Sequence, residues 1–240
     1  MDYWQKRTGS QKLKMGKILN IETATTNCSV SLAEKGKTLI LIEEDTSKHS
    51  HAEKIHDFIL KTLKQSKTKA KELDAVSVSF GPGSYTGLRI GVSAAKGICF
   101  GLGIPLVKIS TLKILAAQAK RVCSPDLIAS VIDAKRQDVF FALYNKKLKE
   151  VQKPIMITLT KKTLSNELRS NRVLFVGSGA EKTKDHIKNP NASFLRTNPS
   201  AKEMAPLSYQ KLIEKKTEDL ASCEPAYINE FYTSAKKLSF

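Results

Sequence analysis

Short apolar runs and helix-spaced apolar stripes succeed one another along this chain, and each change of spacing marks an element. In KILNIETATTNCSVSLAEKGKTLILIEED, apolar residues cluster at Ile18, Leu19 and Ile21, then over 28–32 and again over 39–42. That pattern predicts antiparallel strands, with EKGK turning between the last two. SHAEKIHDFILKTLKQS places Ala52, Ile55, Ile59 and Leu63 at helical spacing behind Ser50, a residue type that caps helix starts. AVSVSF reads as a buried strand feeding the turn GPGS, and YTGLRIGVSAAKGICF as a long helix over about 85–100. PLVKIS returns as a strand.

A second lobe is expected from about residue 111. It opens on the helix LKILAAQAK and continues in LIASVIDAKRQDVFFALYN, two strands around a basic turn. KKLKEVQKPIMITLTKKTLSNELRS is irregular in pattern and is expected to hold an exposed connection. RVLFVGSGA is a strand ending in a glycine turn, and PLSYQKLIEKK is a helix. No internal repeat is visible. Strands alternating with helices after an antiparallel opening predict an α/β protein with mixed sheets flanked by helices, in two lobes. The expected division is a flexible polar tail over 1–16, a first lobe over 17–110, a second over 111–224, and a closing segment over 225–240 that returns to the first.

Composition narrows the function classes. No apolar run approaches the ~20 residues that span a bilayer. The four cysteines, Cys28, Cys99, Cys123 and Cys223, are scattered and form no CxxC pair, which suggests reduced thiols and a cytoplasmic setting. Forty Lys and Arg against 23 Asp and Glu give a net charge of +17. Such a balance favours a polyanionic partner, with tRNA or other RNA the first candidate.

The candidate chemistry is sparse. Gly81, Gly83, Ser84 and Thr86 stand at a strand-to-helix turn whose N–H groups and positive dipole end suit an anion, with Arg89 one turn further in. A tight turn required only for packing explains the same residues. No Lys follows the last glycine, so the P-loop pattern fails. In the first hairpin, Glu22 and Ala24 occupy the places where sugar-kinase-like folds use Asp and Gly to approach phosphate and metal. The longer carboxylate and the added Cβ both oppose tight ATP binding. His49, His51 and His56 are two, five and seven residues apart, not the four that put two rings on one helix face. Ser84 has no GxSxG elbow around it, and Asp133 with Lys135 and Arg136 is either a catalytic candidate or, the favoured reading, surface charge.

ILNIETATTNCSVSL, SFGPGSYTGLRIGVSAAKGICFGLGIPLVKISTL, VIDAKRQDVFFALY, VGSGA and the closing EPAYI together resemble the TsaB (YeaZ) family, from about Met15 to Lys237. That family is the partner subunit in threonylcarbamoyladenosine synthesis on tRNA. The resemblance implies an actin-like (ASKHA) two-lobed fold and a non-catalytic scaffold without cofactor or metal. It also implies binding to a TsaD-type catalytic subunit, with a TsaE-type ATPase joining the complex and a homodimer when the chain is alone. TsaD carries an HxxxH metal motif after the corresponding helix; Thr111 and Leu115 stand at those positions here, and neither can replace an imidazole. The helix after the glycine turn is then the expected docking element. Gly87, Gly91 and Ala95 form one row of small residues and Ala94, Gly97 and Gly101 a second; Arg89, Ile90 and Ile98, with Ile55 and Ile59 of the preceding helix, complete the expected face. The same small residues could seat the helix on its own sheet. A metallopeptidase-like or kinase-like enzyme of the same fold is the alternative. Residues 1–14 precede the resemblance and are expected to be dispensable.

Overall fold

The elements follow the predicted order with four additions. In the computed structural model, which describes residues 16–45 and 51–228, the first lobe opens with β1 (Lys17–Glu22), β2 (Asn27–Glu34) and β3 (Lys37–Asp45). Helix α1 (His51–Gln65), β4 (Ala75–Ser79), α2 (Tyr85–Leu102), β5 (Leu106–Ile109) and α3 (Thr111–Val122) follow. The second half holds β6 (Leu127–Asp133), β7 (Asp138–Asn145), β8 (Glu150–Thr158), α4 (Glu167–Ser170), β9 (Val173–Val176), α5 (Ala180–His186) and β10 (Ala192–Leu195). It ends on α6 (Ala201–Ile213). Residues 1–15 of the expected tail, His49, the proposed cap Ser50 and residues 229–240 lie outside the described residues, whereas Gly16, counted with the tail, is buried and donates its N–H to Asp74 Oδ2 (2.7 Å). No helix among those described is long and apolar enough to cross a membrane.

Two mixed sheets result, ordered β3-β2-β1-β4-β5 and β8-β7-β6-β9-β10. In each, an antiparallel three-stranded meander is extended by two parallel strands. The fold is thus the actin-like two-lobed α/β architecture, and its halves repeat one topology although their sequences show no repeat. β8 corrects the expectation of an exposed connection over 150–158. It is an edge strand bearing Lys153 and Pro154, residues that protect an open sheet edge and blur the alternation that would reveal a strand.

Side-chain alternation decides how the first sheet is covered. Cys28, Val30 and Leu32 pack with Ile55, Phe58, Ile59, Val92, Ala95 and Cys99 from α1 and α2. Ser29 and Ser31 point the other way, and α6 covers them. Ser31 Oγ donates to the Ala201 carbonyl (2.8 Å), Ser29 Oγ accepts from the Ala201 N–H (3.0 Å), and Ser208 Oγ donates to Asn20 Oδ1 (2.8 Å). These three buried hydroxyls are therefore satisfied, which removes most of the cost of taking them from water. The chain's return to the first sheet comes at α6, ahead of residue 225. From there Glu218 N–H bonds to the Leu106 carbonyl (2.9 Å) and Cys223 enters the first core.

Helix α2 lies against the β1–β2 turn with no room for side chains. A Cβ on Gly87 would overlap the Thr23 carbonyl, and one on Gly91 would overlap Thr23 Oγ1. The closeness is sealed by Thr23 Oγ1 donating to the Gly87 carbonyl (2.8 Å). Gly91→Ala is therefore expected to destabilise the protein by about 1–3 kcal/mol through overpacking. Thr23→Ala should cost about 1 kcal/mol through its lost hydrogen bond. The double variant should be more stable than the sum of the two, because removing Oγ1 clears part of the clash. Denaturant titration of the four proteins measures this; strict additivity would mean that the helix is not seated on Thr23.

Candidate docking face and interlobe cleft

The glycine turn is a clasp for its own lobe. Ser84 N–H donates to the Ala24 carbonyl (2.7 Å), and Ser84 Oγ caps α2 by accepting from Gly87 N–H (3.2 Å). Gly81 has φ +122, and a Cβ there would press on the Ala226 carbonyl. Its own carbonyl accepts from the Thr111 N–H (3.0 Å). Of the four expected anion-binding residues, Gly83 and Ser84 line the interlobe cleft, Gly81 is buried beneath the closing segment, and Thr86 is exposed but does not line the cleft. The structure does not gather them into one cradle.

The expected docking residues also divide. Gly87, Gly91, Ala95, Ile55 and Ile59 are buried inside the first lobe, where they seat α2 and α1 on the sheet. Arg89, Ile90, Ala94 and Ile98 line an open groove of 560 Å³ with Ala52, His56, Ser93 and Gly97, and the buried Ile55 reaches its floor. Leu88, Val92, Ala95 and Cys99 repeat at core spacing and mark the inward side. The outward row is Tyr85, Arg89, Ser93, Gly97 and Gly101, one helical turn apart. A Cβ on Gly97 or Gly101 would meet nothing within 4 Å, so the chain's own packing demands neither glycine. Phe100 stands 84% exposed beside them and Leu60 of α1 is 67% exposed. Of the two small-residue rows expected from the spacing, Gly87, Gly91 and Ala95 face inward, and Gly97 and Gly101 of the second belong to the outward row.

The closing segment braces this helix. Tyr227 packs at a tilt of 37° on Tyr85 (centroids 5.0 Å) and its hydroxyl accepts from Arg89 Nε (3.2 Å), while the Arg89 guanidinium lies 4.1 Å from the Tyr85 ring centroid. Ala226 N–H donates to the Phe80 carbonyl (2.7 Å), and Lys96 Nζ donates to the Cys223 carbonyl (3.1 Å). The EPAYI stretch is thereby placed as a strap across the start of α2.

Between the lobes lies a cleft of 1130 Å³ lined by both sheets' loops, which sequence reading did not assemble. Its acids are engaged. Asp45 accepts from Thr26 Oγ1 (2.6 Å) and Asn198 Nδ2 (2.7 Å), and Asp133 pairs with Lys182 while accepting from Lys135 N–H (2.9 Å). Arg136 does not line the cleft. Glu22 does not reach the cleft; it is fully buried, with Oε1 accepting from Ala24 N–H (2.6 Å). Ala24 does line the cleft, with its carbonyl held by Ser84. His51 is also buried and donates from Nε2 to the Thr25 carbonyl (2.6 Å), a structural bond that the mis-spaced histidines did not suggest. Thr111 and Leu115 are buried at the start of α3, and Leu115 packs in the second core. No group of three or more metal-ligating side chains occurs among the described residues.

A family model described as "TsaD: tRNA N6-adenosine threonylcarbamoyltransferase" matches residues 42–231. The chain is 29% identical over 225 residues to the tRNA threonylcarbamoyladenosine biosynthesis protein TsaB of Escherichia coli, spanning 88% of this chain and 94% of that protein. It is 28% identical over 228 residues to the protein of the same name from Bacillus subtilis, spanning 91% and 96%. Among solved structures, YeaZ from Pseudomonas aeruginosa matches with a TM-score of 0.78 and 22% identity, over 89% of this chain and all of that one.

Burial pushes the Glu22 carboxyl up to about 7, against the lowering pull of hydrogen bonds from Ala24, Ser79 and Thr23. The folded state therefore holds this proton more tightly than the unfolded chain does. Its contribution is present below about pH 4.5 and is lost as pH rises through about 7, a decline of about 3 kcal/mol. Glu22→Gln should flatten that part of the stability profile when denaturant midpoints are compared at pH 5 and pH 8. An unchanged difference between the two pH values would place the responsible group elsewhere.

Proposed function

Because the chain belongs to the TsaB (YeaZ) family, we propose that it is the non-catalytic subunit that binds and activates a TsaD-type transferase in threonylcarbamoyladenosine modification of tRNA. The observation that carries this reading is the outward row of α2. Glycine in a helix interior costs about 1 kcal/mol relative to alanine, and at Gly97 and Gly101 the fold receives nothing in return. A second helix approaching closely would use that bare backbone, and Phe100 and Leu60 would supply the apolar area beside it. The docking face is therefore Arg89, Ile90, Ser93, Ala94, Gly97, Ile98 and Phe100, with Leu60 and His56 of α1 at its side. Gly87, Gly91, Ala95, Ile55 and Ile59 support it from beneath.

A scaffold role fits the interior of the molecule as well. Glu22 is sealed from the cleft, the two cleft aspartates are engaged by their own neighbours, and Thr111 and Leu115 offer no ligand where the transferase carries its histidines. The reading includes a TsaE-type ATPase in the assembly, self-association through the same face when the transferase is missing, and a cytoplasmic location.

Gly97→Ala should raise helix stability by about 1 kcal/mol, since its Cβ meets open space. Gly97→Arg should melt no lower than the parent protein yet run as a monomer in sedimentation and fail to capture the transferase, because a desolvated unpaired charge costs several kcal/mol. A folded Gly97→Arg protein that still captures the transferase would move the interface off this helix. Incubated alone with tRNA, threonylcarbamoyl donor and ATP, the chain is expected to give no product; turnover without a second subunit would make it an enzyme.

A further inference from the structure

A second concave surface shares no lining residue with either the cleft or the docking groove. It has a volume of 770 Å³ and is built from the end of β5, the start of α3, the β7–β8 turn and the C-terminal end of α6. Six lysines line it: Lys108, Lys113, Lys149, Lys153, Lys211 and Lys216. Against them stand two carboxylates, Glu150 and Glu214. The lysines come from β5, the start of α3, the β7–β8 turn, β8, α6 and the residues just after α6, so the concentration is a product of tertiary structure rather than of one basic run. Lys108 is paired with Glu218 (2.8 Å) and Lys216 with Glu214 (2.8 Å). Lys211 donates to the Lys108 carbonyl (2.8 Å). Burial holds the Lys211 ammonium below its ordinary range; Glu218 opposes this, while Lys113, Lys108 and Lys216 add to the depression. Like charges gathered around a half-buried ammonium are unfavourable until an anion enters among them.

We infer that this groove binds the phosphate backbone of an RNA. The inference rests on the proposed place of the chain in a tRNA-modifying assembly for its choice of RNA among polyanions; the groove's charge and shape are independent of that place. Backbone recognition, not base reading, follows from the lining. Its only aromatic residue among those described is Phe80, and Lys108 lies over that ring (5.0 Å to the centroid), so no open stacking platform is offered. Phosphates spaced along a strand can engage lysines contributed by both lobes. Lys113, Lys149 and Lys153 have no ion-pair partner among the salt bridges of the described residues and are the primary contacts.

The test is fluorescence anisotropy of a labelled, unmodified tRNA transcript with the full chain across a salt series. Converting Lys113, Lys149 and Lys153 to Gln should weaken binding about tenfold or more and flatten the plot of log affinity against log salt by about 2–3, near one per lost phosphate contact. Converting Lys161, Lys162 and Lys188 to Gln removes the same charge elsewhere on the second lobe and should change the slope little. Lys149→Gln alone, at an exposed turn, gives a one-contact step that does not depend on the triple variant folding. Transcripts of unrelated sequence should bind equally. Equal slopes for the two triple variants would overturn the groove in favour of diffuse charge, and a parent chain that ignores tRNA but binds polyglutamate would make it an acidic-protein site. Capture of the transferase, measured on the same proteins, should be unaffected by the groove substitutions; its failure in the parent chain would count against the proposed function and leave the RNA result standing.

Discussion

Everything about the first lobe depends on how near α2 comes to the β1–β2 turn. With Thr23 against Gly87 and Gly91, backbone meets backbone, and the helix is fixed in rotation as well as position. Once the glycines at 87 and 91 face inward, the 3.6-residue repeat leaves Arg89, Ser93, Gly97 and Gly101 facing out. The same closeness lets Ser84 cap the helix while its N–H holds the Ala24 carbonyl. A turn that resembles an anion cradle is in this way committed to joining two parts of one sheet.

That commitment has consequences for chemistry. The hairpin that could bring an acid toward a nucleotide instead buries Glu22, and the cleft is left with aspartates that neighbouring side chains already hold. What the lobe presents to other molecules is therefore surface: a smooth helix face with unfilled glycines on one part, and a lysine-lined concavity spanning both lobes on another. The strap formed by Ala226 and Tyr227 stiffens the helix face from the side, since Tyr227 meets both Tyr85 and Arg89. A helix held at both its start and its underside loses little conformational freedom on binding, which favours the docking role proposed for it.

The two lobes also show how one topology can tolerate different covers. In the first sheet the hydroxyl-bearing face of β2 is dry because α6 returns to bond Ser29 and Ser31. In the second, apolar clusters line both faces, around Phe175 on one and Tyr144 on the other. The return of α6 also couples the lobes, as Ala201 and Met204 share a core with Val107, Ile109 and Ile114.

Local pattern determined most of the elements. The apolar runs of β1, β4 and β6 and the amphipathic stripes of α1 and α2 were legible because strand and helix periods differ and each was repeated often enough to be read. The long glycine-turn motif was the most specific of the five segments that together resembled the family. Tertiary structure decided what no local period encodes. Gly87 and Gly97 are the same residue on the same helix, yet one is required by Thr23 and the other meets nothing, a difference set by residues more than sixty positions away in the chain. Ser29 and Ser31 alternate like a solvated face and are buried by a helix 170 residues later. β8 escaped notice because the features that protect an edge strand, Lys153 and Pro154, are those that hide it from a periodicity search. The six groove lysines were counted in the net charge but gathered only by folding, since electrostatic concentration depends on distance in space and the sequence orders residues along one dimension.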